Sequence, residues 1–230
     1  MKLYEVAMSP FAGRCRMVVY HKGLQDKVSF LPPFAPPASP EWRALNPLGK
    51  LPALDTGSLV LGESEVIVDY IEDRFPERSI QPKSPEDRAI ARLLARICYL
   101  YVFPALSPLF GQLKAGSRDQ NVVDEAVAKV GQALDNLDHF LPGDSSPYAV
   151  ANQMTSADCA LVNTLFYVDR MLAVFGVTDV IARSAKLGRY WQGIQSEPSA
   201  KRVLAELAYG LDQFVKGGAF VSTSQVPADV

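Results

Sequence analysis

Cysteine and histidine are scarce in this chain of 230 residues, which has three cysteines and two histidines. Cys15, Cys98 and Cys159 lie far apart in apolar helical surroundings, without the spacing of a metal site or of a disulfide framework. Neither His21 nor His139 has a recognisable set of ligands around it. We therefore expect reduced, buried thiols in a cytoplasmic protein, and no bound metal.

An excess of charge of one sign is also missing. The chain has 23 Lys and Arg against 25 Asp and Glu, which gives a net charge of -2 at pH 7. Such a surface lacks the basic footprint that binds nucleic acid or an anionic membrane. We expect no apolar run as long as a membrane span, and no signal peptide, because the chain enters a strand pattern at Lys2. We expect neither nucleic acid nor membrane as a partner.

The first third of the chain alternates between strand and helix patterns. The predicted elements are strands at 2–7 and 28–31, a hairpin at 51–54 and 58–61, and helices at 12–22 and 64–75. The order is βαβ followed by ββα, which implies one parallel and several antiparallel strand pairs. Residues 32–40 form a proline-rich loop, which cannot be regular structure because proline fixes φ and lacks the N–H donor.

Only helix patterns follow a short proline-punctuated stretch. The predicted helices span 86–110, with Pro104 expected to kink or break it, then 119–141, 155–175, 182–196 and 199–215. Thr155 and Asp158 form a capping box, which we interpret as a folding signal. The predicted division is an α+β domain at 1–79, a linker at 80–85, an all-helical domain at 86–216 and a flexible tail at 217–230.

Ser9 is the first candidate for chemistry, because it stands where the first strand hands over to a helix. The residue suits a helix cap, and Pro10 suits the first helical position. The same geometry also suits a hydroxyl that donates to a bound thiolate, since a helix N-terminus favours an anion. From Ser9 alone, both interpretations stay open.

Two further segments point to a peptide-like ligand. Pro52 opens an apolar strand, and a cis bond after Leu51 would present the backbone of Leu51 to an extended ligand; an ordinary trans proline at a strand edge is the alternative. Glu63 and Ser64 precede the third helix, where they suit either a plain cap or a site for an ammonium and a carboxylate group. Those two groups describe an α-amino acid terminus.

These segments resemble the cytosolic glutathione transferases. The resemblance rests on Ser9-Pro10-Phe11 with Arg14, on the run from Asn46 to Leu54, on Glu63-Ser64 and on the capping box at Thr155. It covers about residues 1–215 and implies a thioredoxin-like domain followed by an all-α helical bundle. The family's catalytic position varies between Tyr, Ser and Cys, and this chain has Ser9 there.

The resemblance also implies roles for individual residues. Ser9 would stabilise the thiolate of glutathione, which is a co-substrate, and Leu51, before a cis Pro52, would pair with its cysteinyl backbone. Glu63 and Ser64 would hold the γ-glutamyl end, and Lys50 the glycyl carboxylate. The glutathione site implied as a whole consists of Phe11, Lys50, Leu51, Pro52, Glu63 and Ser64. The pocket for an apolar second substrate would be walled by Tyr99, Tyr101, Phe103 and Phe110, although core packing is the alternative for these aromatic residues.

The implied function is a glutathione transferase that activates the thiol for attack on an apolar electrophile, as in detoxification. Two alternatives stay open: a glutathione-dependent isomerase or lyase, similar to maleylacetoacetate isomerase or to ether-cleaving members, and a non-catalytic binding protein that keeps the fold. Cys15 lies inside the first helix rather than at position 9, which disfavours a glutaredoxin-like activity. A symmetric homodimer with an interface on both domains is expected from the family.

Overall fold

The computed structural model describes residues 1–114, 116, 118–143, 147–218 and 220–227. The strands are β1 (Lys2–Tyr4), β2 (Ser29–Leu31), β3 (Ala53–Asp55) and β4 (Val60–Leu61). The helices are α1 (Pro10–Lys22), α2 (Pro40–Leu45), α3 (Ser64–Arg74), α4 (Pro85–Ile97), α5 (Phe103–Phe110), α6 (Gln120–Phe140), α7 (Ser156–Val174), α8 (Ala185–Ile194) and α9 (Pro198–Gly217). A π-helical segment (Cys98–Val102) joins α4 to α5, and a 3₁₀ turn (Thr223–Gln225) follows α9.

The four strands form one sheet in the order β2-β1-β3-β4. β1 is parallel to β2, whereas the pairs β1–β3 and β3–β4 are antiparallel. This is the βαβ and ββα order that the sequence patterns predict. Leu3 pairs with Phe30 on one side and with Leu54 on the other, and both leucines are fully buried.

Three helices begin with the same two residues, a serine that caps the helix and a proline at its start. In each pair the serine side chain accepts a hydrogen bond from a backbone N–H of the first turn, which satisfies a donor that has no partner within the helix. The pairs are Ser9-Pro10, Ser39-Pro40 and Ser84-Pro85. The positions of the helix starts are therefore written locally in the sequence.

The long helix predicted at 86–110 is interrupted by the π-helical segment. Pro104 has no N–H to give to the carbonyl four residues earlier, so a regular α-helical ladder cannot run through this point. The N–H of Phe103 instead donates to the carbonyl of Cys98, five residues back, which is the π-helical pattern. The break expected from Pro104 is thus present, as a widened turn directly before it.

Contacts between Cα atoms divide the chain into two compact units. The first unit contains Met1–Ile80 and the chain from Pro198 onward, and the second contains Gln81–Glu197. The first boundary lies close to the predicted linker. The last helix and the tail, by contrast, group with the first unit, whereas the sequence pattern assigned 86–216 to the helical domain and 217–230 to a flexible tail. The reason is long-range hydrogen bonding that no local pattern shows, because Ser222 and Thr223 are buried and donate to Glu5.

The second unit is built around α7, in which most residues are buried. The capping box at its start forms as predicted, with the Asp158 carboxylate accepting from the N–H of Thr155 at 2.8 Å. By length and composition alone, the run Pro85–Phe110 is apolar enough to cross a membrane, and 44% of an 18-residue apolar stretch within it is buried inside the protein. The expectation that no run has this length is therefore corrected; α4, within this run, packs against α7.

Candidate functional site

A cavity of about 100 Å³ lies in the first unit, between the start of α1, the segment before β3 and the start of α3. It is lined by Phe11, Asn46, Leu48, Lys50, Leu51, Pro52, Glu63 and Ser64. All six residues that the sequence analysis assigned to glutathione binding are in this lining. Ligand pockets commonly measure about 300–1,000 Å³, so a ligand of peptide size would be only partly enclosed by this cavity.

Two buried side chains hold the segment before β3 by donating hydrogen bonds to its backbone. The Trp42 indole N–H donates to the carbonyl of Lys50 at 3.3 Å, and the Asn46 side-chain amide donates to the same oxygen at 3.0 Å. The peptide bond between Leu51 and Pro52 is cis. Within the described residues, neither the N–H nor the C=O of Leu51 has a hydrogen-bond partner. The backbone of Leu51 therefore offers one donor and one acceptor to an extended ligand.

Glu63 has an unusual backbone conformation directly before α3. Its φ is 59° and its ψ is 114°, a region that side chains with a Cβ rarely adopt. Its own side chain makes no capping hydrogen bond to α3. A residue held in this way, with its carboxylate exposed at a cavity, points to a role for the side chain rather than for the fold.

The start of α3 has the properties of an anion site. Ser64 is buried and lines the cavity, and within the described residues its hydroxyl has no hydrogen-bond partner. The first N–H groups of a helix lack intrahelical partners and carry the positive end of the helix dipole. A carboxylate placed here would accept from these groups and from the Ser64 hydroxyl.

Charges of both signs border the cavity. Lys50 and Glu63 are both exposed, and neither has an ion-pair partner in the part of the chain that the structure describes. An ammonium group and a carboxylate are therefore both available to a ligand that carries the complementary charges.

Ser9 is half-buried at the start of α1, and its oxygen accepts from the N–H of Ala12 at 3.2 Å. The cap that the sequence predicts is thus present. A serine hydroxyl has one donor and two acceptor positions, and the cap uses only an acceptor. The donor stays available, so capping and thiolate binding do not compete for the same hydrogen. In the described part of the chain, the cavity lining includes Phe11 of the same helix but not Ser9 itself.

Cys15 lies inside α1 and is fully buried. Its thiol contacts the carbonyl oxygens of Phe11 and Ser64, each at 3.6 Å, so it bridges the starts of α1 and α3. Burial raises the pKa of the Cys15 thiol to about 12, against the opposing effect of Arg14 and Arg16. A thiol that stays protonated and buried is a poor nucleophile, in line with the expectation of a reduced, buried thiol at Cys15.

The four aromatic residues predicted to wall a second pocket do not share one face. Tyr99 stacks on Phe103 with ring centres 6.1 Å apart, and Phe103 and Phe110 each lie 6.4 Å from the ring of Tyr167 on α7. Tyr101 instead lines a separate groove of about 410 Å³ beside α6. Tyr99 and Tyr101 lie two residues apart in the π-helical segment, whose turn closes between residues five apart, so their side chains are on different faces.

Three residues that lie at these sites had no role predicted from the sequence. Asn46 and Leu48 line the cavity, and the Asn46 side chain also accepts from the N–H of Leu48 at 3.2 Å. The signal for Asn46 was the asparagine before proline, which is typical of a side chain that folds back onto its own turn. Tyr167 gave no signal of its own, because it sits in an apolar helix pattern among many core residues.

No group of three or more His, Cys, Asp and Glu side chains that could hold a metal is present within 1–114, 116, 118–143, 147–218 and 220–227. The polar groups at the cavity include the Ser64 hydroxyl, backbone amides and the two charged side chains of Lys50 and Glu63.

The chain matches two family models, the glutathione S-transferase N-terminal domain over residues 3–79 and the glutathione S-transferase C-terminal domain over residues 92–198. Glutathione S-transferase 1 of Dianthus caryophyllus is 30% identical over 70% of this chain and 74% of its own length. Maleylacetoacetate isomerase of Pseudomonas aeruginosa is 28% identical over 81% of this chain and 90% of its own.

Solved structures are similar over nearly the whole chain. A structure of glutathione S-transferase-I bound with the ligand lactoylglutathione is 26% identical, with a TM-score of 0.70, and covers 89% of this chain and 98% of that one. Together with the family models, this likeness confirms the predicted fold, a thioredoxin-like unit followed by an all-α unit.

Proposed function

Since the chain belongs to the glutathione S-transferase family, we propose that it activates the thiol of glutathione through Ser9 and directs it at an apolar electrophile. The observation that carries the proposal is the cavity in which the start of α1, the segment before β3 and the start of α3 come together. Its polar groups match the ends of a γ-glutamyl peptide in kind and in sign.

Glutathione would bind along the backbone of Leu51, whose N–H and C=O pair with the cysteinyl residue as in strand addition. Its γ-glutamyl carboxylate would accept from Ser64 and the first amides of α3, and its ammonium group would meet Glu63. Lys50 would pair with the glycyl carboxylate. These contacts hold the tripeptide extended and orient its thiol towards α1.

Ser9 would then lower the thiol pKa. Its hydroxyl donates to the sulfur while its oxygen keeps the cap on Ala12, and the positive end of the α1 dipole favours the thiolate. A shift of two pKa units corresponds to about 2.7 kcal/mol, which one charge-assisted hydrogen bond and a helix dipole are able to supply. The thiolate attacks the electrophilic carbon of the second substrate, and the leaving group departs with the bonding electrons.

A second candidate function is a glutathione-dependent isomerase, in which the thiolate adds to the substrate and is later expelled. The observation in its favour is the 28% identity to the maleylacetoacetate isomerase of Pseudomonas aeruginosa. Ser9 would serve this reaction equally well, because both begin with the same thiolate.

Product analysis separates the two candidates. The protein is incubated with glutathione and, in turn, with an activated aryl chloride and with a cis-configured maleyl diketone. Loss of free glutathione in step with product supports conjugation, whereas product formation at constant glutathione supports isomerisation. Binding to immobilised glutathione without turnover of either substrate would contradict both and favour a binding protein.

The remaining expectations from the family are a symmetric homodimer and a cytoplasmic location. The dimer is tested by the mass of the protein in solution, where a monomer over the whole working concentration range would contradict it. The location is tested by cell fractionation, where recovery in the membrane fraction would contradict it.

A further inference from the structure

A buried ion network lies behind Ser9, with Arg16 at its centre. Arg16 donates to the Glu5 carboxylate at 2.5 Å and to the Glu206 carboxylate at 2.9 Å, and all three side chains are buried. The same guanidinium donates to the carbonyl of Ala7 at 2.8 Å. One side chain of α1 therefore links the chain after β1, where Glu5 and Ala7 lie, to the last helix, α9.

The chain after α9 completes this network. The Glu5 carboxylate accepts from the Ser222 hydroxyl at 2.9 Å, from the N–H of Thr223 at 2.7 Å and from the Thr223 hydroxyl at 3.1 Å. The N–H of Ala7 donates to the carbonyl of Val221 at 2.7 Å. Residues 220–227, here called the C-terminal strap, thus bind the segment that leads into Ser9.

α9 itself touches the same segment through a glycine. A Cβ added at Gly210 would lie 2.5 Å from the backbone nitrogen of Met8 and 3.0 Å from the carbonyl carbon of Ala7. Two of the three nearest atoms belong to the backbone and the third is the Cβ of Ala7, so no flexible side chain can move aside. Gly210 is therefore required for the close approach of α9 to the two residues before Ser9.

Both backbone polar groups of Ala7, which lies between β1 and α1, are thus held by distant residues, the N–H by Val221 and the carbonyl by Arg16. The carbonyl of Val6, one residue before Ala7, accepts from Arg16 at 3.4 Å and from the N–H of Ser9 at 2.9 Å. A catalytic hydroxyl must stay within a fraction of an ångström of its productive position, and a displacement of about 1 Å is able to reduce turnover by two orders of magnitude. The hydrogen bonds to Val6 and Ala7 therefore fix the position of Ser9 directly before α1.

We propose that Gly210 and the C-terminal strap position Ser9 for thiolate formation, so that α9 and the end of the chain set the thiol pKa without touching glutathione. The proposal rests on the proposed function of Ser9. Its residues act through the segment 6–8, and they are positioning residues rather than catalytic ones.

The test compares Gly210→Ala with Gly217→Ala, a matched control in the same helix where an added Cβ meets nothing within 4 Å. The thiol pKa of bound glutathione is measured from thiolate absorbance against pH, and affinity is measured with S-methylglutathione, which has no thiol to ionise. In Gly210→Ala we expect the thiol pKa to rise by about one unit and kcat to fall about tenfold, with less than about a twofold change in affinity. Gly217→Ala should leave all three values unchanged.

Thr223→Val provides a second variant, because it removes one hydroxyl donor to Glu5 and keeps the backbone N–H that also binds there. We expect the thiol pKa to rise and kcat to fall, as in Gly210→Ala but by less. Thr223→Val carries the test alone if Gly210→Ala does not fold by circular dichroism. An unchanged thiol pKa in the folded variants, beside a raised pKa in Ser9→Ala, overturns the positioning proposal alone. An unchanged thiol pKa in Ser9→Ala itself instead overturns the proposed function.

Discussion

Two helices of the first unit begin at the candidate site, and their first residues are arranged differently. α1 begins with Ser9, which has an ordinary extended backbone and caps its own helix. α3 begins after Glu63, which has a positive φ and gives its helix no side-chain cap. The difference indicates two kinds of binding group. In the proposed site, the cap at α1 would keep its hydroxyl hydrogen for glutathione, whereas the uncapped start of α3 would be capped by the ligand itself.

The two positions should therefore respond differently to substitution. In the proposed function, Ser9 contributes to folding through its oxygen and to chemistry through its hydroxyl hydrogen, so a substitution is able to separate the two contributions. Glu63 contributes nothing to the cap and is held in a strained conformation, so stability and binding should respond in opposite directions.

The largest expected effect comes from separating the cap of Ser9 from its donor. Ser9→Asp keeps a capping oxygen but has no hydrogen to give to the thiolate, whereas Ser9→Ala loses both. We expect kcat/KM to fall about a hundredfold in both variants, as when one preorganised donor is removed from an active site. The free energy of unfolding should fall by about 1 kcal/mol in Ser9→Ala and change little in Ser9→Asp. Urea denaturation beside steady-state kinetics checks both, and full activity in Ser9→Asp would show that only the cap matters.

At α3 we expect an intermediate effect with opposite signs. Glu63→Gly removes the carboxylate and relieves the positive φ, so glutathione affinity should fall about tenfold while the protein gains about 1 kcal/mol of stability. Glu63→Ala is the matched control, because it loses the same carboxylate and keeps the strain. Calorimetric titration and thermal unfolding measure the two quantities. Equal stability of the two variants would mean that Glu63 is not strained.

A third helix start shows what a purely structural cap looks like. Asp158 of α7 is fully buried in the second unit, and burial raises its pKa to about 6, against the hydrogen bonds from Ala149 and Thr155. A raised pKa means that the fold favours the protonated form, so its contribution to stability is present below the unfolded pKa near 4 and is lost as the pH rises towards about 6.

The smallest functional effect is therefore expected at this third helix start. In Asp158→Asn, the part of the pH dependence of unfolding that Asp158 contributes between about pH 4 and pH 6 should disappear, because the amide at position 158 does not titrate. The pKa of bound glutathione should stay as in the parent. Denaturation curves at several pH values measure the first quantity, and a pH profile identical to the parent would refute the assignment to Asp158.

Much of the fold and of the candidate site could be predicted from the sequence. The serine-proline pairs locate helix starts within two residues, and the six residues that the family resemblance implied for glutathione line one cavity. The breaking effect of Pro104 was also local, since it depends on one missing N–H.

Other features depend on contacts that no local pattern contains. The bonds from the C-terminal strap to Glu5 join residues more than 200 positions apart, and the close approach at Gly210 depends on a second helix. The backbone of Glu63 is unpredictable for a different reason: glutamate at a positive φ runs against its own preference, and only the surrounding structure holds it there. The face on which Tyr101 lies depends on where the π-helical segment widens the helix, and the sequence pattern did not show that position.

The pKa of the glutathione thiol in the complex tests the central claim most directly, namely that Ser9 caps α1 and activates the thiol with the same hydroxyl. In the parent protein the thiolate absorbance should appear about two pH units below the ordinary range of a cysteine thiol near 8.5. In Ser9→Ala and in Ser9→Asp the pKa should return towards that range, with glutathione still bound. A thiol pKa that is equally low in the parent and in both variants would contradict the account.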